Sequence, residues 1–137
     1  MKNIIAFILI IGLIVSCKKE NKLPEEDSLH GKWEVTLFAS LESMGYPKKD
    51  DYNPVITFQT DGKYELKLDV NSCTGSYSTS GKNIEITHPG CTKICCDSKF
   101  SQKLTGMLSK VSYFTIENHH LNLHVDNWGF IGLEKID

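Results

Sequence analysis

Cysteine placement constrains this chain more than any other feature. Cys73, Cys91, Cys95 and Cys96 all fall between Val70 and Asp97, while the remaining cysteine, Cys17, stands apart near the N-terminus. Cys73 has no partner outside the later cluster, so its bond ties the middle of the fold together. Outside the cytoplasm an even set of cysteines reads as two disulfides. Three pairings are open: Cys73 with Cys91, which leaves Cys95 and Cys96 as a vicinal bridge, or Cys73 with Cys95 or with Cys96. Closing a loop of about 20 residues stabilises by roughly 3 kcal/mol in the chain-entropy model. Two other chemistries compete, a thiolate metal site flanked by His88 and Asp97 and a reactive thiol. The Cys91-x3-Cys95-Cys96 spacing lacks the Cys-x2-Cys pairs of zinc ribbons and fingers. A redox Cys-x-x-Cys beside a βαβ unit is also missing.

The N-terminus sets the expected compartment. Lys2 precedes an almost unbroken apolar run from Ile4 to Val15. At about 12 residues this run is too short to span a bilayer and suits the h-region of a signal peptide. It ends in Ile14-Val15-Ser16-Cys17, which resembles a bacterial lipobox, and so implies cleavage before Cys17 and acylation there. The expectation is a signal peptide over 1–16 and a lipidated flexible tether over 17–29, poor in apolar residues. A β-rich domain then covers 30–137. The lipid anchor makes the membrane a partner and places the protein in the cell envelope, at the outer membrane. Within the tether, Asp27-Ser28-Leu29 resembles a Bacteroidetes-type O-glycosylation acceptor.

Beyond the tether the hydrophobic period is two. Trp33, Val35 and Leu37 alternate with Lys32, Glu34 and Thr36, and Tyr64, Leu66, Leu68 and Val70 alternate with Lys63, Glu65, Lys67 and Asp69. Such alternation marks half-buried strands. Asp61-Gly62 is a hairpin signal. A second hairpin runs from Gly75 through Gly81 to Ile86, and the proline in His88-Pro89-Gly90 ends it. From Asp97 the period changes: Phe100, Leu104, Met107, Leu108 and Val111 form a helical stripe, capped by Asp97 or Ser98. Strands return from Tyr113 to Ile116, over Leu121 to Val125, and from Trp128 to Leu133, with turns at Asn118-His119 and Asp126-Asn127. The connection from Leu41 to Asn53 carries Met44, Tyr46 and Tyr52 as contact candidates and otherwise reads as a mobile, solvated loop.

Several function classes lose support at this level. The net charge is −2, and every basic side chain except the histidines is lysine. Bidentate guanidinium recognition is therefore missing, and without a basic stripe nucleic acid is not an expected partner. Nucleophile-elbow, P-loop, GxGxxG and HExxH patterns are absent, so no catalytic residue, cofactor or metal is assigned and the chain is expected not to be an enzyme. His120 and His124 lie about 13 Å apart along a strand, too far to share one ion readily, so they and His119 read as solvated polar-face residues.

The run Val70-Asn71-Ser72-Cys73-Thr74-Gly75-Ser76-Tyr77 resembles the Asn-x-x-x-Gly-x-Tyr core of the META domain, the domain of HslJ-type heat-shock proteins. Asn71, Gly75 and Tyr77 carry the match. A Trp-bearing first strand, the Cys91–Cys96 segment, the helix and the closing strands follow in the family's order, from His30 to Glu134. The usual Cys-Asn pair is Val70-Asn71 here, with the cysteine displaced to Cys73, so no disulfide scheme carries over. The resemblance implies a small curved antiparallel sheet or partly open barrel with one helix packed across it. It also implies a non-catalytic role in envelope maintenance or stress tolerance, with a protein or small-molecule partner still to be named. Gly31-Lys32-Trp33 resembles the lipocalin opening, so a carrier of a small apolar ligand is the alternative. A metal-binding resistance protein is a further one. An open pocket lined by Trp33, Phe58, Tyr64 and Leu66 would favour the carrier, whereas a filled core would favour an interaction module.

Overall fold

The computed structural model describes residues 28–42 and 45–136. The signal-peptide segment, Cys17, most of the tether and Met44 lie outside the described residues. Among the described residues, nine strands and one helix follow in the order β1 (Gly31–Ser40), β2 (Val55–Phe58), β3 (Lys63–Lys67), β4 (Ser72–Ser80), β5 (Asn83–Ile86), β6 (Gly90–Cys91), α1 (Lys99–Leu108), β7 (Val111–Glu117), β8 (His120–Val125) and β9 (Gly129–Ile136).

The sheet is closed rather than partly open. Its strands run β3-β2-β1-β9-β8-β7-β5-β4-β6, and β3 also pairs with β4. β6 touches only β4, so eight strands make the ring, each beside its neighbour in sequence. This is an up-and-down barrel, which leaves no long free edge apart from the β6 side. The thinnest seam lies between β5 and β7, where the paired residues are Asn83 and Tyr113. Phe114 N–H adds a bond to the Lys82 carbonyl at 2.9 Å. The chain leaves the ring there to build α1.

Local chemistry explains the corners. Gly62 turns β2 into β3 at φ 79°, and Gly81 turns β4 into β5 at φ 62°. Asn118 and His119 both sit at positive φ, 49° and 65°, the pattern a tight hairpin turn demands. Pro89 interrupts the β5 hairpin, but the strand resumes as β6 with its register displaced. Ile86 faces Tyr77, whereas Gly90 faces Thr74 and Cys91 faces Cys73.

Trp33, Val35, Ile56, Phe58, Tyr64, Leu66, Ile84, Leu121, Leu123, Ile131 and Leu133 are buried in one cluster, as alternation expects, but an irregularity between Val35 and Leu37 breaks the period and leaves Leu37 exposed. Each such side chain contributes about 1.5–3 kcal/mol on leaving water. Phe100, Leu104, Met107 and Leu108 bring the apolar stripe of α1 into the same core. Val111, expected as the next helical residue, instead opens β7. The helix stops at Leu108: Ser109 is its C-cap, and Lys110 N–H bonds back to the Met107 carbonyl at 2.9 Å. Leu29, placed in the tether on composition, is also corrected. It is buried, and its carbonyl accepts from the Trp33 indole N–H at 2.7 Å.

The connection after β1 is docked at Tyr46 and Lys48, while Leu41, Glu42, Gly45, Pro47, Lys49, Asp50 and Asp51 stay exposed. Tyr46 meets Phe38 edge-on at 5.8 Å, and Phe38 stacks on Phe100 of α1 at 4.4 Å. Lys48 bonds to the Thr36 carbonyl and to Asn53, with its ammonium 4.8 Å from the Phe100 ring. Lys103 of α1 reaches Glu42 at 2.8 Å and lies over Tyr46 and Trp128. The bond from Lys103, then that from Tyr46, holds the Glu42 carboxyl down at about 2.

Candidate functional site

The densest polar constellation lies where the β3–β4 corner meets the cysteine segment. Asn71 is only 5% exposed, so its amide must find partners within the protein. Asn71 Oδ1 accepts from Ile94 N–H and the Thr92 hydroxyl, both at 2.8 Å. Asn71 Nδ2 donates to the Ile94 carbonyl at 2.7 Å and to Asp97 Oδ2 at 2.6 Å. Both amide donors and both acceptor positions of the side chain are thereby used. The other Asp97 oxygen accepts from Val70 N–H and Asn71 N–H, each at 3.0 Å.

Asp69 performs the matching task for the helix. Ser98 N–H donates to Asp69 Oδ2 at 2.9 Å, and the Ser98 and Ser101 hydroxyls donate to Asp69 Oδ1. Ser98 is the N-cap, accepting from Ser101 N–H at 3.2 Å. A carboxylate at this end also suits the helix dipole. Burial opposes ionisation of Asp69, but the bonds from Ser101 and Ser98 outweigh it and hold the carboxyl below its ordinary value. Of the two residues expected to cap α1, Ser98 does so, and Asp97 is committed to the corner.

Gly75 and Tyr77, the other motif residues, are also explained by packing. A Cβ at Gly75 would stand 2.5 Å from the Tyr64 ring. Glycine there lets Tyr64 lie across β4 and donate its hydroxyl to the Thr87 carbonyl at 2.8 Å. Burial pushes that phenol up to about 12. Tyr77 meets Phe58 edge-on at 5.0 Å and donates its hydroxyl to the Gln59 carbonyl at 2.6 Å. The three motif residues thus hold three separate joints of the barrel and do not converge on one cavity.

The cysteines resolve into one of the three open pairings. Cys73 and Cys91 are register partners of β4 and β6 and form a disulfide with their Cα atoms 4.0 Å apart. Cys95 and Cys96 are bonded to each other, and both are exposed. Among the described residues no group of three or more histidine, cysteine or acidic side chains is arranged to hold a metal ion. His120 faces Glu117 and Glu134, while His124 lies four rows further on, between Tyr113 and Phe130.

His124 departs from the expected solvated residue. Ala39, Phe130, His124 and Tyr113 occupy one register row across β1, β9, β8 and β7. The imidazole lies flat on Tyr113, at 4.2 Å and 4° between planes, and tilts against Phe130 at 5.6 Å. Its Nε2 is 3.1 Å from the Thr115 hydroxyl, and burial pushes its pKa down. Sequence alternation marks His124 as outward-facing, but only the strand register puts an aromatic ring on each side. The row borders a shallow groove of about 340 Å³ that Leu41, Asn127 and Trp128 extend. A second open groove, about 360 Å³, lies over β3 and β4 beside Lys63, Glu65, Thr74 and Ser76. The four residues that would line an internal pocket are packed instead: Trp33 and Tyr64 are 0% exposed and Phe58 and Leu66 1%.

A closed eight-stranded up-and-down barrel, filled by side chains and joined to one helix by a buried asparagine clamp, defines a small β-barrel domain protein. The chain belongs to the META domain family, whose model matches residues 27–130. No curated protein sequence matches it. Two solved structures share the fold. One is a duf4847 family protein from Bacteroides vulgatus, with a TM-score of 0.59 at 18% identity, covering 78% of this chain and 94% of that one. The other is an NMR structure of a protein from Burkholderia xenovorans, with a TM-score of 0.63 at 14% identity, covering 77% and 81%.

Proposed function

We propose that this META domain protein is a non-catalytic, lipid-anchored component of the cell envelope that acts through its outer surface in envelope maintenance or stress tolerance. The observation that carries the reading is the filled barrel. An eight-stranded barrel is just wide enough either to be packed by side chains or to hold one small ligand. Here Trp33, Tyr64, Phe58 and Leu66 occupy that space. The motif residues support the same reading, because Asn71, Gly75 and Tyr77 spend their polar groups and their space on the fold. The anchor part rests on the lipobox-like Ile14-Val15-Ser16-Cys17, which would fix the chain to the outer membrane through Cys17. With only lysine cations and a small net charge, the partner is a protein or a small molecule rather than nucleic acid.

The carrier alternative keeps one observation in its favour. Lipocalins, which the Gly31-Lys32-Trp33 opening resembles, usually pack a late arginine on that tryptophan; here Lys135 Nζ stands 5.5 Å from the Trp33 ring. Trp33 fluorescence tests the two readings. Titration with an apolar probe such as N-phenyl-1-naphthylamine should give no saturable quenching in wild-type protein or in a Trp128→Phe variant. Saturable one-to-one quenching retained in Trp128→Phe would favour the carrier. For the anchor, replacing Cys17 with Ser should release the protein from the membrane fraction and block the mass change of acylation. Unchanged mass and membrane association would sink it.

A further inference from the structure

The two disulfides differ in what they can do for the fold. Cys73–Cys91 links β4 to β6 across a sequence separation of 18, with Cys73 buried in the core. Closing that loop removes conformational freedom from the unfolded chain. Cys95 and Cys96 are neighbours in sequence. A bond between them closes no loop of chain, so it adds essentially nothing by that route. Because Cys73 is taken by Cys91, each of them has, among the described cysteines, only the other as partner.

The segment carrying them is fastened without sulfur on both sides. Ile94 is held through its N–H and carbonyl by the Asn71 amide, and Thr92 through its hydroxyl. Asp97 is held by Val70 N–H, Asn71 N–H and Asn71 Nδ2. Opening the Cys95–Cys96 bond would therefore leave its flanks attached. Both cysteines are exposed, as is the preceding Ile94 at 62%. Accessible cysteines are the ones that exchange, whereas buried structural ones stay inert.

We propose that Cys95 and Cys96 form a reversible dithiol/disulfide site, presented on a loop whose position does not depend on its redox state. This goes beyond the envelope role proposed above and does not rest on it. The reductant class is a dithiol. One of its thiolates attacks a sulfur of the Cys95–Cys96 bond, forming a mixed disulfide and releasing the other cysteine as a thiolate, which takes a proton. The reductant's second thiol, losing its proton, then displaces the first cysteine. The protein gains two electrons and two protons, and the reductant leaves as its own disulfide. The reduced pair presents two adjacent soft sulfur ligands, which suit trivalent arsenic: with an arsenic(III) oxide two As–S bonds replace the bonding to one oxygen, which leaves as water with the two thiol protons.

The test is stepwise reduction of the full chain with dithiothreitol, followed by alkylation and peptide mapping. Cys95 and Cys96 should become alkylated at a dithiothreitol concentration at least about tenfold below that needed for Cys73 and Cys91. At that point the melting temperature should be unchanged. After removal of the reductant, phenylarsine oxide should then add once and protect both residues from alkylation. A Cys95→Ser/Cys96→Ser variant should melt like wild type and take no arsenical. Simultaneous reduction of all four cysteines, a lower melt when only this pair opens, or a mapped bond from Cys73 to Cys95 or Cys96 would each overturn the proposal. So would failure of the double-serine variant to fold.

Discussion

The Asn71 side-chain amide and the Asp97 carboxylate, 26 positions apart, meet at 2.6 Å and close the β3–β4 corner onto the segment that leads into α1. Around them every polar atom of the Asn71 side chain is matched. Removing it would leave the Ile94 N–H and carbonyl and one oxygen of Asp97 without their partner at a part-buried corner. Asn71→Ala should therefore cost about 2 kcal/mol and lower the thermal midpoint by roughly 10 °C. Asn71→Asp should be at least as damaging, because a second carboxylate would face Asp97. Urea titration of the three proteins provides the check, and an unchanged midpoint in Asn71→Ala would remove the clamp.

Gly75→Ala places a methyl group within the Tyr64 ring. The ring must move, losing its bond to the Thr87 carbonyl. Overpacking of this kind costs about 1–3 kcal/mol. In a Tyr64→Leu background the same substitution should cost much less, so a double-mutant cycle by chemical denaturation should show strong coupling. Additive effects would mean that Gly75 is required for some other reason.

The Cys73–Cys91 bond should account for about 3 kcal/mol. A Cys73→Ala/Cys91→Ala variant should show that loss by denaturant unfolding while the Cys95–Cys96 pair stays intact. Full reduction of wild type should lower the melt by a comparable amount.

Acid sensitivity should be traceable to Asp69. Its folded-state pKa lies below the ordinary 3.8. A depressed carboxyl stabilises the fold fully above its unfolded value, and that contribution is lost as pH falls through the folded value. Asp69→Asn should lower the melt at pH 7 and flatten its decline below about pH 4, as followed by melting between pH 7 and 2. Glu42, held down at about 2 chiefly by Lys103, should follow the same sign between its ordinary 4.5 and that value. Being exposed, it should be the more salt-sensitive of the two. An Asp69→Asn curve parallel to wild type would show that the helix entry does not depend on this charge.

Features set by neighbours along the chain were legible in the residues. Alternation over Tyr64–Leu66 and Leu121–Val125 named the inward side chains, because a strand's faces repeat every two residues. Asp61-Gly62 named a hairpin and Asn118-His119 a turn, because glycine and asparagine tolerate the positive φ found at Gly62, Asn118 and His119. The stripe from Phe100 to Leu108 named the helix, and Asn71, Gly75 and Tyr77 named the family. Where periodicity ran past a cap it misled, as at Val111, since a helical stripe does not show that Ser109 ends the helix.

Tertiary structure alone decided what depends on neighbours distant in sequence. Pairing of β3 with β4 and of β1 with β9 closes the sheet, and alternation is identical in an open and a closed sheet. Strand register set Cys73 opposite Cys91 and left Cys95 and Cys96 to each other. Register likewise laid His124 flat on Tyr113. Burial of Leu29 beneath Trp33, and docking of the Tyr46 loop on Phe38 and α1, required a core surface that exists only once the barrel has formed. The roles of Asn71 and Asp97 emerge for the same reason: each satisfies backbone groups more than 20 residues away, a relation that no local pattern records.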